Sequence, residues 1–241
     1  MPKNLSIITL YNYALILYNY YSNYHKKIIM KKLLFGILTL SLILVSLVSC
    51  GGSKDNNTVL EGYFTKGDEG YFLTSYGAVK VTDGKAICFS YSANGDTLTV
   101  DGVELTASEL TKATFTAPAD GGDYFVIEGK KLTGLTASGK AQTVLFLPKG
   151  VTSVEAGAFK DSSVKALVIG GFTGSVNLAN GSPEGLTALY IDGSVTPNSL
   201  TCGKNLLDGA TSLQIKVGSA AYDDFKNHYN WGTFSDNIKK Y

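Results

Sequence analysis

The stretch "LFLPKGVTSVEAGAFKDSSVKALVI", residues 145–169, decides the fold. It opens and closes with a short apolar run. The same run returns in "TALYID", so that Leu145, Leu167 and Leu189 stand 22 residues apart. A short strand that recurs at this period cannot bury its apolar face alone, whereas strands stacked side by side bury one continuous core. The pattern therefore predicts a solenoid of stacked strands.

Two further runs extend the array in both directions. "LQIKV" places Ile215 and Val217 in the same columns after a longer gap of 26 residues. "YFVIEG" places Phe125 and Ile127 there, 20 residues upstream of the first repeat. We therefore expect five strands in one sheet.

Seven residues of this stretch carry a resemblance to a known repeat: Pro148, Val151, Thr152, Val154, Ala158, Phe159 and Leu167. In this pattern, residues 145–169 closely resemble the bacterial surface-antigen (BspA-like) leucine-rich repeat. The final segment, "AAYDDFKNHYNWGTFSDNIKKY", resembles the tail that closes many such arrays. The resemblance implies a leucine-rich-repeat solenoid over residues 123–241, with Phe159 filling the core from the convex side. It also implies a C-terminal helical cap that contains Phe225 and Trp231. The repeats beginning at 165 and 187 keep the strand but lose the Ala-Phe pair.

A column of side chains is predicted to point outward from the sheet. Along "LFL", the two-residue period of a strand turns Leu145 and Leu147 inward and the residue between them outward. The outward column consists of Phe146, Val168, Tyr190 and Lys216. An exposed strip with three apolar or aromatic members marks a binding surface. The alternative is that the N-terminal segment packs over this face and makes it an interdomain core.

Residues 59–122 predict a small antiparallel β-meander domain. Asp83-Gly84, Asn94-Gly95 and Asp101-Gly102 each lie between alternating runs, which is the signal of a two-residue hairpin. The predicted fold class is thus mainly β: a small antiparallel β-meander domain over 59–122, followed by a short leucine-rich-repeat solenoid with a C-terminal helical cap over 123–241.

Residues 30–56, "MKKLLFGILTLSLILVSLVSCGGSKDN", are typical of a bacterial export signal. Two lysines precede an apolar core that is shorter than the roughly 20 residues of a spanning helix. The "LVSC" at its end resembles the lipobox of bacterial lipoproteins. That resemblance implies a signal peptide over 30–49 and a covalent diacylglycerol on Cys50, followed by a flexible tether to residue 58. The alternative is a plain membrane anchor with an incidental cysteine.

The first 29 residues favour a true start at Met30. They hold six of the fifteen tyrosines and show no clean helical or strand period. Their composition is what AT-rich DNA yields when it is read through. We interpret residues 1–29 as an upstream extension created by a misplaced start, and the alternative is a genuine extended signal.

The composition of the chain from Cys50 onward limits its chemistry. It has 16 lysines, no arginine and 20 acidic residues, which is not the basic face that nucleic acid requires. Its single histidine, His228, has no metal-ligand partners at a suitable spacing. No nucleophile elbow or phosphate loop occurs. We expect no catalytic residues, no metal, no small-molecule substrate and no cofactor besides the lipid. Cys88 and Cys202 either pair in an oxidising compartment or are two small buried side chains.

The sequence therefore predicts a membrane-anchored lipoprotein of the bacterial cell envelope, and not an enzyme. Gly51 after the lipidated cysteine favours the outer membrane or cell surface, by the rule known for enteric lipoproteins. The family resemblance implies that the repeat sheet mediates protein–protein binding or adhesion, with a host or extracellular-matrix protein as partner. The alternative is a periplasm-facing structural or assembly lipoprotein with no exposed ligand face.

Overall fold

Antiparallel hairpins make up the N-terminal part of the described chain. The computed structural model describes residues 60–89, 91–94, 96–115, 117–118 and 122–241, which all lie in one compact unit. The strands here are β1 (Gly62–Lys66), β2 (Glu69–Thr74), β3 (Gly77–Thr82), β4 (Lys85–Phe89), β5 (Tyr91–Asn94), β6 (Thr97–Val100), β7 (Val103–Thr106) and β8 (Thr111–Lys112). They form one sheet in the order β4-β3-β2-β1-β8 and a second in the order β5-β6-β7.

Two of the predicted Asx-Gly turns are confirmed by their backbone angles. Asp83 and Gly84, between β3 and β4, have φ values of 52° and 72°. Asp101 and Gly102, between β6 and β7, have φ values of 54° and 72°. Two successive residues with positive φ match the right-handed twist of the flanking strands, and Asx-Gly pairs tolerate them. The remaining turn was predicted to begin at Asn94. That residue is instead the last residue of β5 and lies opposite Thr97.

Short strands with few helical residues make up the second half of the chain. The strands are β9 (Phe125–Glu128), β10 (Lys131–Leu135), β11 (Val144–Phe146), β12 (Ser153–Val154), β13 (Ala166–Ile169), β14 (Val176–Leu178), β15 (Ala188–Ile191), β16 (Leu200–Cys202), β17 (Gln214–Val217) and β18 (Ile238–Lys240). The helices are α1 (Ala137–Lys140) and α2 (Tyr222–Asn227), with 3-10 turns at Ala107–Glu109, Gly122–Tyr124 and Trp231–Phe234. The described chain is therefore mainly β, with both antiparallel and parallel sheets.

The predicted columns of the repeat are confirmed in one parallel sheet, ordered β11-β13-β15-β17-β18. Leu145 lies opposite Leu167, which lies opposite Leu189, and Ile215 follows in register. All four side chains are at most 1% exposed. The equal spacing read from the sequence thus sets the strand register and aligns the buried residues.

The placement of Phe125 and Ile127 in that same sheet is wrong. Their strand β9 pairs antiparallel with β10 and belongs to a different five-stranded sheet, ordered β16-β14-β12-β10-β9. The physical reason is a hairpin turn at Gly129, which has a φ of 65° and reverses the chain directly after β9. The extra member of the first sheet is instead β18, which pairs parallel with β17.

The second parallel ladder was not predicted from the sequence. Val154, Leu178 and Cys202 align in it at a spacing of 24 residues. In β14 and β16 the middle residue is exposed and its two neighbours are buried, so that each strand shows a two-residue period. These strands hold only two or three residues, which is too short a pattern to be recognised as a strand by periodicity.

The C-terminal segment is held by buried aromatic residues. Phe225 of α2 and Trp231 are both 0% exposed, and their ring centroids lie 5.1 Å apart. The indole N–H of Trp231 donates to the carbonyl of Leu200 in β16 at 2.7 Å. The acidic pair Asp223 and Asp224 lies in the first turn of α2, where negative charge is favoured by the helix dipole.

One buried apolar cluster extends across residue 122, where the sequence analysis divides the chain into two domains. It includes Phe72 and Val79 from the N-terminal sheet together with Phe146, Val168 and Tyr190 from the parallel sheet. The β3 backbone also lies close to β11, since a Cβ added at Gly77 would lie 3.0 Å from Val144 Cγ1. The two segments therefore share a core, and the domain division stays a prediction.

Candidate functional site

The four residues predicted for the outward face lie side by side in the structure. Phe146 pairs with Val168, Val168 with Tyr190, and Tyr190 with Lys216 along β11, β13, β15 and β17. Each is the neighbour of a buried inward residue on its own strand. The two-residue period therefore placed them together on one face of the sheet.

That face is covered, which corrects the expectation of an exposed strip. Phe146, Val168 and Tyr190 are each 0% exposed, and the Lys216 side chain is 15% exposed. The physical reason is that β2 and β3 carry apolar side chains of their own, such as Phe72 and Val79. Burying both faces against each other removes more apolar area from water than leaving either one open. The interdomain-core alternative matches this arrangement.

Aromatic side chains cluster around this face, and one pair joins it directly to the N-terminal sheet. The Phe72 ring stands edge-on to the Tyr190 ring at a centroid distance of 6.3 Å and an angle of 82°. Phe72 also contacts Phe115 at 5.2 Å and Tyr241 at 6.2 Å. At the other end of the column, Phe125 stands edge-on to Phe146 at 5.9 Å. Such edge-to-face pairs add about 0.5–1.5 kcal/mol each beyond their buried area.

A polar cluster of Glu61, Ser75, Tyr190 and Lys216 lies at the edge of this contact, and we call it the Glu61 cluster. The Tyr190 hydroxyl donates to Glu61 Oε1 at 2.7 Å and accepts the Ser75 backbone N–H at 3.0 Å. Lys216 Nζ and the Ser75 hydroxyl also donate to Glu61 Oε1. Lys216 Nζ lies 5.3 Å from the Tyr190 ring centroid, within cation–π range. Glu61 and Ser75 are thus bonded to two strands of the parallel sheet.

Electrostatics keep the Glu61 cluster in one charge state. Burial raises the pKa of Glu61, but hydrogen bonds from Lys216, Ser75 and Tyr190, with the charge of Lys216, outweigh it and leave that pKa below its ordinary value. Burial is also the main reason that the pKa of Tyr190 is raised. At neutral pH Glu61 is therefore a carboxylate and Tyr190 a neutral phenol.

A groove of about 410 Å³ opens beside the covered face, and we call it the end groove. One wall comes from the N-terminal sheet, with Gly62 and Tyr63 of β1 and Lys112 of β8. The other wall follows the carboxyl ends of β15 and β17. It consists of Asp192, Gly193, Ser194, Gly218, Ser219 and Ala220, with Tyr241 beside them. The volume lies within the usual range of small-ligand pockets.

Asp192 is the most buried charged residue of the end groove. It is 6% exposed, and its Oδ1 accepts both the backbone N–H and the hydroxyl of Ser194. A Cβ added at Gly170 would lie 2.6 Å from the Cβ of Asp192, so the small residue on the neighbouring strand leaves room for this side chain. The Asp192 carboxylate is therefore fixed in position against one wall.

Sequence reasoning did not identify Glu61 or the end groove. Glu61 and Lys216 are separated by 155 positions, and no local pattern connects them. The groove has a weak signal, because small residues follow the aligned strands directly in "IDG" at 191–193 and "VGS" at 217–219. These residues stand at equivalent positions of neighbouring strands, where Gly218 packs on the Gly193 backbone.

The described residues with metal-binding or nucleophilic side chains lie apart. Among them, no group of three or more His, Cys, Asp or Glu side chains could hold a metal ion. His228 Nε2 lies 3.2 Å from the side-chain oxygen of Asn198. Cys88 and Cys202 are free, buried thiols, and burial raises the pKa of each to about 12. The structure therefore has the two thiols unpaired.

The predicted lipidation site, Cys50, lies outside the described residues, as do the signal peptide and the upstream extension. The whole tether, to residue 58, lies outside them as well. Within the part of the chain that the structure describes, no helix has the length and hydropathy needed to cross a membrane. Comparison with protein-family models, curated proteins and solved structures found no significant match to this chain.

Proposed function

We propose that the chain is a lipoprotein of the bacterial cell envelope with a BspA-like leucine-rich-repeat solenoid. The repeat columns at Leu145, Leu167 and Leu189 support this fold, as does the second ladder at a spacing of 24 residues. Strands that alternate between two parallel sheets are what a coil of such repeats requires. Phe159, which is 1% exposed, fills the core as the repeat pattern implies. The segment with Trp231 is the C-terminal helical cap.

We further propose a structural or assembly role in the envelope, in place of adhesion through the repeat sheet. The observation that supports this proposal is that Phe146, Val168 and Tyr190 are 0% exposed beneath the N-terminal sheet. Side chains with no exposed surface cannot contact a host or matrix protein unless the fold opens. The N-terminal sheet is in this view a permanent cover of the repeat sheet, and the protein is not an enzyme.

The lipid anchor is part of the same proposal and rests on residues 30–56. A diacylglycerol on Cys50 gives stable anchoring, because each buried CH₂ contributes about 0.8 kcal/mol and two chains are present. The tether then separates the folded unit from the membrane surface. We propose that this unit faces the periplasm.

Protease shaving of intact cells tests the location, with detection of the segment that contains Trp231. We expect the segment to survive on intact cells and to be digested once the envelope is opened. A Cys50→Ser variant should lose incorporation of a labelled fatty acid and leave the membrane fraction, whereas Cys202→Ser should keep both properties. Digestion on intact cells would place the protein at the surface and contradict the periplasmic role.

A further inference from the structure

The end groove presents both hydrogen-bond donors and acceptors to whatever occupies it. Asp192 is 6% exposed, and no hydrogen bond joins its Oδ2 to another described residue, while Oδ1 is held by Ser194. The ammonium group of Lys112 lies on the opposite wall and has no carboxylate partner among the described residues. Ser194 and Ser219 line the same groove, and their hydroxyls donate to Asp192 Oδ1 and to the Tyr241 main-chain oxygen.

The charged side chains of the groove walls limit the net charge of the ligands that can bind there. Its charged side chains are one carboxylate and one ammonium group, so an anion would meet Asp192 and a cation would meet Lys112 at a cost. A neutral molecule with many hydroxyl groups meets neither penalty. Each hydroxyl donates one hydrogen bond and accepts two, which suits walls that hold donors and acceptors together.

Apolar surface and volume narrow the ligand class further. Tyr63 and Tyr241 line the groove. Beside them Gly218 packs directly on the backbone of Gly193, which an added Cβ would meet at 2.5 Å. A sugar ring combines apolar C–H faces with a rim of hydroxyl groups. A groove of about 410 Å³ lies at the small end of the range for ligand pockets, which suits a single ring.

We propose that the end groove binds a neutral sugar, as a free monosaccharide or as one ring of a glycan. Asp192 accepts hydrogen bonds from two adjacent hydroxyl groups, and Lys112 donates to a third. The tyrosine rings contact the apolar face. This site adjoins the covered sheet face at Tyr241. The proposal does not depend on the lipid anchor or on the cellular location.

Ligand-observed saturation-transfer NMR on the purified full chain tests the site. The probes are glucose, galactose and N-acetylglucosamine at about 10 mM, a concentration suited to millimolar dissociation constants. Alanine is the zwitterionic comparison, because its ammonium and carboxylate groups could pair with Asp192 and Lys112. We expect transfer to at least one sugar and none to alanine. Transfer to none of the sugars, or to alanine alone, would overturn the proposal.

Two variants with matched controls locate the binding. Asp192→Asn keeps an oxygen that accepts from Ser194 but removes the charge, so affinity should fall about tenfold. Lys112→Gln, at the exposed edge strand, should weaken binding about threefold without affecting folding. Asp224→Asn and Lys85→Gln change exposed residues away from the groove and should leave affinity unchanged. Equal affinity in all four variants would overturn the assignment of the groove. If Asp192→Asn fails to fold, Lys112→Gln decides alone.

Discussion

Glu61 joins the N-terminal segment to the parallel sheet by charge and hydrogen bonds. It accepts from Lys216, Tyr190 and Ser75, and its side chain is 14% exposed. An ion pair this shielded from water is costly to break by removing one partner, because the other charge stays desolvated. Exposed pairs, such as Lys66 with Glu109, contribute little by comparison.

The pH dependence of stability should report on Glu61. Its pKa is below the ordinary value of 4.5 in the folded state, so its contribution is fully present above pH 4.5 and is lost as pH falls through the folded pKa. Glu61→Gln should lower the free energy of unfolding at pH 7 by about 1–2 kcal/mol. Denaturant unfolding at a series of pH values from 7 downward should show the wild-type advantage shrinking once the pH falls below 4.5.

Glu109→Gln is the matched control for this experiment. Its carboxylate also pairs with a lysine, but on an exposed surface, so the change in stability should be smaller than for Glu61→Gln. A Glu61→Gln effect that stays constant across the whole pH range would contradict the role of the carboxylate charge.

The buried thiols give a second prediction for single residues. Only the thiolate reacts with thiol reagents, and burial raises the pKa of Cys88 and Cys202 to about 12. In a Cys50→Ser variant without reductant, we expect no labelling of the native protein at neutral pH and two thiols after denaturation. Finding no thiol after denaturation would reveal a disulfide and contradict the unpaired state.

At the scale of elements, the contact of the N-terminal sheet with β11, β13, β15 and β17 is an apolar core contact. Phe146→Ser should lower the free energy of unfolding by about 3 kcal/mol or more, because it leaves a cavity and a buried hydroxyl. Val126→Ser, on β9 where the side chain is 42% exposed, should cost about 1 kcal/mol or less. Denaturant unfolding compares the two variants.

The outcome also separates the two functions weighed from the sequence. A binding strip predicts that Phe146→Ser leaves the free energy of unfolding unchanged and weakens the binding of a partner. A core predicts that the same change lowers the free energy of unfolding and leaves the binding of a partner unchanged. Equal stabilities of the Phe146→Ser and Val126→Ser variants would contradict the core assignment.

Periodicity predicted the elements that repeat, and it failed where the chain reverses or where strands are very short. Leu145, Leu167 and Leu189 were placed correctly because equal spacing fixes the register of stacked strands. Phe125 was placed in the wrong sheet. The glycine turn after β9 reverses the chain, so that β9 pairs antiparallel with β10. The sequence could not show whether the outward face of the parallel sheet is exposed or covered. The two-residue pattern that turns Phe146 outward is the same whether water or another sheet lies over it. Glu61 was missed because its partners are distant in the chain.

At the scale of the whole molecule, one buried cluster joins the N-terminal sheet to the parallel sheets and includes Phe72, Phe115, Phe146 and Tyr190, while a second cluster around Tyr71 and Leu98 lies within the N-terminal segment. Segments that share a core lose stability together when it opens, whereas separately folded domains unfold independently. We therefore expect residues 60–118 and 122–241 to unfold as one cooperative unit, with the N-terminal sheet as a permanent cover.

Denaturant unfolding followed by two local probes tests this central claim most directly. Trp231, the single tryptophan, reports on the C-terminal segment by its fluorescence. Hydrogen exchange of peptides from β2 and β3, measured by mass spectrometry, reports on the cover. The shared core predicts coincident midpoints for the two probes. Exposure of β2 and β3 at a clearly lower denaturant concentration, with Trp231 fluorescence still native, would show that the cover opens by itself and would contradict the account.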